Sequence, residues 1–216
     1  MTLVGPDGAA LAHFDTGEID LLNYAPPLAF DATGALLAIG LGSGSIQLVE
    51  VPSFRSRGSI PASKEHLSAL AFSPDGRNIA TGAWDGTVST FDVESGALLF
   101  SGFGHESMVL QVGWNADGAS LWSASRDDTL KTWRLDRGSG LDLLPALAGG
   151  ISHLAADRAR SRVATTHIDN VLFLWDSSNG DLLARCDATS VPLFSPLGVA
   201  FLPRSGDLLV VTRRSG

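Results

Sequence analysis

Short apolar runs separated by turn signals follow one another along the whole chain. In the clearest stretch, Leu70 and Phe72 lead into Pro74-Asp75-Gly76, and Asn78 to Ala83 follows, closed by Trp84-Asp85-Gly86. Thr87 to Asp92 then alternates Val88 and Thr90 against Thr87, Ser89 and Phe91, and Glu94-Ser95-Gly96 precedes a last run from Ala97 to Phe103. Alternation with period two is the mark of a strand. Asp-Gly and Ser-Gly between such runs are hairpin turns, because glycine adopts positive φ at little cost. The pattern predicts a four-stranded antiparallel meander. Only Leu141 to Leu154 has spacing that suits a helix, and Pro145 with Gly149-Gly150 interrupts it.

The meander repeats. Ala71-Phe-Ser-Pro-Asp-Gly76 returns 42 positions later as Gly113-Trp-Asn-Ala-Asp-Gly118, and Ala29-Phe-Asp-Ala-Thr-Gly34 stands 42 positions before it. Val49-Glu50, Phe91-Asp92, Trp133-Arg134 and Trp175-Asp176 keep the same spacing, with Phe14-Asp15 a further 35 upstream. Two landmarks on one period define a repeat protein, whose copies bury one another's apolar faces. First strands centre near Leu28, Leu70, Val112, Leu154 and Val199, and third strands near Ala12, Leu48, Thr90, Thr132 and Leu174. The expected units are 28–66, 67–104, 105–148 and 149–187, flanked by partial units 1–27 and 188–216. All belong to one domain.

These residues resemble the WD-repeat family of β-propellers. The carriers are the Ser-Pro-Asp-Gly turn, the Asp-Gly turn after the second strand and the aromatic-Asp pair ending the third. The resemblance implies an all-β propeller of about five blade equivalents, four whole units plus N- and C-terminal half units, each whole blade a four-stranded antiparallel sheet. It implies a buried hydrogen-bonded tetrad of His, Ser or Thr, Asp and Trp. His105, Ser123, Asp127 and Trp133 match all four positions. Thr165, Asp169 and Trp175 match three in the next unit, where Leu147 replaces His; Thr81 and Asp85 match two in the preceding one, with Ser63 and Phe91 at the others. A buried Asp needs donors around it, so the tetrad is read as structural, not as a Ser-His-Asp triad. The resemblance also implies partner docking on one end, where the residues before the turn Asp, Trp84, Arg126 and Ile168, would be exposed.

Composition narrows the function. A net charge of −8 and a pI near 4.9 argue against an extended nucleic-acid footprint, which needs a basic stripe. Arg55 with Arg57, Arg158 to Arg162, and Arg213 with Arg214 are read as solvated turns or blade edges. Cys186 is the only cysteine, so no internal disulfide forms, and a reducing compartment such as the cytoplasm is the expectation. No apolar run reaches the ~18 residues of a membrane helix, and no signal-peptide pattern follows Met1.

Catalytic motifs are missing. Gly40-Leu-Gly-Ser-Gly44 has neither dinucleotide-fingerprint spacing nor a phosphate-loop lysine, and no G-x-S-x-G occurs. The five histidines lie without metal-ligand spacing. The expectation is a non-catalytic protein–protein interaction scaffold, without cofactor or metal and with other proteins as partners. The alternatives are a ligand-binding or enzymatic propeller using channel residues such as Ser68, Gln111 and Ser152, or a regulatory propeller segment of a larger enzyme. The two partial units predict either a ring closed by its two ends, a fragment of a larger propeller, or completion by a second chain.

Overall fold

The computed structural model describes residues 2–4, 8, 10–13, 25–51, 53–135, 141–143, 150–168, 171–186, 196–202 and 204–212. Its strands are β1 (Thr2–Val4), β2 (Ala10–His13), β3 (Leu28–Phe30), β4 (Leu36–Gly40), β5 (Ser45–Glu50), β6 (Ser56–Pro61) and β7 (Leu67–Phe72). They continue as β8 (Asn78–Ala83), β9 (Val88–Asp92), β10 (Leu98–Gly102), β11 (Val109–Trp114), β12 (Ser120–Ser125), β13 (Leu130–Arg134) and β14 (Leu141–Leu143). The remainder are β15 (Ile151–Asp157), β16 (Arg162–His167), β17 (Leu172–Asp176), β18 (Leu182–Cys186), β19 (Pro196–Phe201) and β20 (Leu208–Thr212).

Four antiparallel sheets of four strands result: β3–β6, β7–β10, β11–β14 and β15–β18, called here sheets I to IV. In each, neighbours in sequence are neighbours in space. Among the described residues, β1–β2 and β19–β20 make two separate two-stranded sheets and are not paired into a fifth four-stranded one. The Leu141 to Leu154 stretch contributes strand residues at Leu141–Leu143 and from Ile151 onward.

Sheets pack face against face. Leu36, Ala38, Ile46, Leu48 and Ile60 of sheet I meet Phe72, Ile79 and Phe91 of sheet II. Ala71, Ala80 and Val88 of sheet II meet Val112, Trp114, Leu121 and Trp133 of sheet III. Trp122, Ala124 and Leu130 of sheet III meet Val163, Phe173 and Trp175 of sheet IV. Each such large side chain contributes roughly 1.5–3 kcal/mol on full burial. The second and third strands are therefore covered on both faces. Every residue of β4 and β12 is buried, and so is β9 from Val88 to Phe91. The strand read from the alternation in Thr87 to Asp92 is β9, and its two sets of side chains face two neighbouring sheets.

One cross-strand position shows how a unit adjusts. Ala29 pairs with Ala38, Ala71 with Ala80 and Ala155 with Ala164, but in sheet III the pair is Gly113 with Trp122. A methyl group on Gly113 would lie 2.2 Å from Trp122 Cζ2 and 2.4 Å from its Cε2. The indole occupies the space that two alanine methyls fill elsewhere, and carries on into the core shared with sheet IV.

The first-to-second-strand turns line one end of the array, together with the third-to-fourth-strand turns. Gly34, Gly76 and Gly118 each donate N–H to the carbonyl of Asp31, Ser73 or Asn115 three residues back, at positive φ of 65–72°. The opposite end carries the second-to-third-strand turns and the links between sheets. That end holds Trp84, Asp85, His105, Arg126, Asp127 and Ile168, while Ser123 and Trp133 lie within β12 and β13.

Candidate functional site

In sheet III the four tetrad residues form a continuous chain of hydrogen bonds. Trp133 Nε1–H donates to Ser123 Oγ at 2.8 Å, and Ser123 Oγ lies 2.7 Å from His105 Nε2. His105 Nδ1 lies 2.9 Å from Asp127 Oδ2. The carboxylate fixes the tautomer: Nδ1 carries the proton and Nε2 accepts from the serine hydroxyl. Asp127 also accepts from Glu106 N–H (2.9 Å), from Thr129 N–H (2.9 Å) and from the Thr129 hydroxyl (2.6 Å). The links are built by the fold, since His105 sits in the β10–β11 connection and Asp127 in the β12–β13 turn. The network ties one to the other.

Electrostatics follow from this packing. Burial pushes the His105 imidazolium down from its ordinary value, against the hydrogen bond and charge of Asp127, so the ring is neutral at pH 7. Burial opposes ionisation of Asp127, yet hydrogen bonds from Thr129, the Glu106 amide and His105 outweigh it and hold the carboxyl below its usual range. Lys131, buried on β13, is lowered by desolvation against the attraction of Asp127 and Glu106. With His105 Nε2 already occupied by Ser123, and both side chains buried, the arrangement closes a joint and offers no exposed nucleophile.

Sheet IV solves the same problem differently. Trp175 Nε1–H donates to Thr165 Oγ1 at 3.1 Å, and Thr165 Oγ1 lies 3.2 Å from Nε2 of His167, a fully buried ring at the end of β16. His167 is one of the five histidines for which the sequence shows no metal-ligand spacing. Its signal is the Thr-x-His spacing within a strand, which puts both side chains on one face. Leu147 and Asp169 lie outside the described residues. In sheet II the set does not join among the described residues: Asp85 accepts a local bond from Thr87 N–H (2.9 Å), Thr81 Oγ1 is 3.5 Å from Ser89 O, and Ser63 accepts from Glu65 N–H (2.9 Å).

The three rim residues occupy equivalent places. The N–H groups of Trp84, Arg126 and Ile168 donate to the carbonyls of His66, Met108 and Gly150 at 3.1, 3.0 and 2.9 Å. Arg126 is exposed, and Ile168 is 73% exposed. Trp84 departs from expectation: it is half-buried, its ring 4.8 Å from that of His66. Phe103, 78% exposed, follows β10 onto the same end and was not singled out from sequence. The basic run near Arg158 is more than a solvated turn. Arg160 and Arg162 donate to Asp157 Oδ2 at 3.0 and 2.9 Å, then reach the Arg204 and Gly206 carbonyls of the β19–β20 hairpin at 3.2 and 2.7 Å.

Comparison with known proteins places this geometry. The family model described as "WD domain, G-beta repeat" matches residues 55–92 and 96–134. A chain of the "Crystal Structure of Mitotic Checkpoint Complex" superposes with a TM-score of 0.68 at 21% identity. The alignment covers 86% of the present chain and 60% of that one, so this chain spans less than two thirds of its length. No curated protein sequence matches. Residues 55–92 and 96–134 are thus WD repeats, and the fold is that of a β-propeller.

Proposed function

We propose that this chain is a non-catalytic scaffold that holds partner proteins on the end carrying Trp84, Phe103, Arg126 and Ile168. The observation that carries the reading is the exposure of Phe103 and Ile168 on the end where the His105 network and the rim backbone bonds hold the loops. Large apolar, Trp and Arg side chains displayed on a preorganised frame are what an interface core uses. Ser68 and Ser152 speak against a channel site. Ser68 gives its hydroxyl to the carbonyls of Gly82 and Val109, and Ser152 bonds Thr166. The single free Cys186 supports a reducing, cytoplasmic setting.

The test is affinity capture of co-purifying proteins by the wild-type chain, by a Phe103→Ala/Ile168→Asp variant and by Trp84→Ala, with Arg204→Ala in the β19–β20 turn on the opposite end as control. Partners should be recovered by wild type and control and lost by the rim variants. Equal recovery by all four removes this end from the interface.

A further inference from the structure

At the end opposite Phe103, the first turn of one sheet meets the third turn of the next along a seam, seen between sheets III and IV and between sheets I and II. The described seams differ. Between sheets III and IV, buried Asn115 and Ser177 close it: Asn115 Nδ2 donates to the Ser177 carbonyl at 2.9 Å, and the Ser177 hydroxyl donates back to Asn115 Oδ1. Sheet IV and the β19–β20 hairpin lack that seam among the described residues and are joined first turn to first turn, Arg160 and Arg162 reaching from Asp157 to the Arg204 and Gly206 carbonyls. Between sheets I and II it stays open as a cleft of about 740 Å³. The positions matching Asn115 and Ser177 are Asp31 and Val93, which cannot make the reciprocal bond.

The cleft walls carry Asp31 and Glu50 from sheet I and Asp75, Asp92 and Glu94 from sheet II, around a floor of Leu36, Val51 and Val93. Among the described lining residues, Arg57 and Arg77 alone oppose these five carboxylates. Arg57, on β6, already lays its guanidinium across the seam onto Glu94. A planar cation fits this site, because one from the chain itself sits there. Turn hydrogen bonds from Thr33, Ser73 and Ser95 keep Asp31, Asp75 and Asp92 ionised below their ordinary range, though burial opposes this at Asp31.

We propose that the open seam between sheets I and II is a second docking cleft, taking an arginine- or lysine-bearing segment of a partner protein, with Arg57 as a built-in competitor for Glu94. This rests on the scaffold reading but concerns the other end of the molecule.

The test is fluorescence anisotropy with a labelled peptide of four arginines spaced by glycine and serine, at low and at physiological salt. Glu50→Gln/Glu94→Gln should weaken binding about fivefold or more, and the loss should shrink as salt rises. Asp181→Asn/Asp207→Asn, which removes the same charge elsewhere, should leave binding unchanged. Arg57→Ala should tighten it, a sign that general attraction to an acidic protein also gives but that a purely structural role for Arg57 does not. Equal weakening by both charge-removing pairs, or weaker binding by Arg57→Ala, overturns the proposal. Far-UV circular dichroism checks the fold, and if the Glu50/Glu94 pair does not fold, single Glu94→Gln replaces it. Loss of peptide binding here leaves partner capture by the Phe103 end untouched, so the two readings fail separately.

Discussion

Adding one methyl group at Gly113 tests how the sheets fit together. Gly113 is on β11 without the positive φ that would reserve the place for glycine, so the obstacle to alanine is the Trp122 ring alone. Three indole atoms would lie 2.2–2.8 Å from the new carbon, well inside contact distance. The ring cannot swing aside, being 2% exposed and packed against sheet IV. Overpacking of this kind costs roughly 1–3 kcal/mol, and the entropic benefit of alanine over glycine returns about 0.5–1. The expected net loss for Gly113→Ala is about 1–2 kcal/mol, or a Tm lower by about 2–8 °C for a chain of this size. Trp122→Ala alone should cost about 3–5 kcal/mol. On that background Gly113→Ala should become neutral or stabilising, because the pair then matches Ala71 with Ala80. Urea and thermal denaturation of the four proteins give the coupling energy. If Gly113→Ala costs the same with and without Trp122, the steric account is wrong.

Asp127→Ala should lower stability by about 3–5 kcal/mol, since it strands the His105, Glu106 and Thr129 donors; an unchanged Tm would show that the network contributes nothing. His105 is depressed in the folded chain, so the unfolded chain binds more protons below about pH 6.5 and unfolding free energy should fall as pH drops through that range. His105→Gln should flatten that slope. Asp127 and Asp157 are also depressed, so their contribution is present above about pH 4 and lost as pH falls through the lowered values. A pH series of urea melts reads both windows, and a flat profile contradicts the assignment. The buried hydroxyls of Thr90 and Thr132, 42 positions apart, have no hydrogen-bond partner. Valine at either should stabilise by about 1–2 kcal/mol, and a lower melting temperature would reveal a partner that the geometry does not contain.

The strand plan was legible because turn glycines and aromatic-Asp pairs mark the strand ends at a fixed period. The His105 tetrad was legible for a related reason, as its spacing places each group on a predictable turn or strand. Exposure was harder to read. Trp84 rests on His66, which approaches from the preceding link, and no local pattern records which side chain a link delivers. Val88 and Thr90 alternate with Ser89 and Phe91 as a half-buried strand would, but stacking adds a second covered face that periodicity cannot distinguish from water. His167 was missed because its partner Thr165 lies on its own strand, whereas the tetrad pattern looks for the imidazole in a preceding link. Phe103 follows the last strand of its sheet, where nothing in the sequence separates a buried from a protruding ring.

The matched segments 55–92 and 96–134 begin with β6 and β10, the outermost strands of sheets I and II, and end with β9 and β13 of the sheets that follow. Each sequence module thus lends its opening strand to the preceding sheet. Excising residues 55–92 would strip the rim from one blade and leave β10 of the next with no companion, whereas cuts in the links after Pro61 and after Gly102 would free a whole sheet. Shuffling or shortening such an array succeeds only when the joins respect the sheets and ignore the modules.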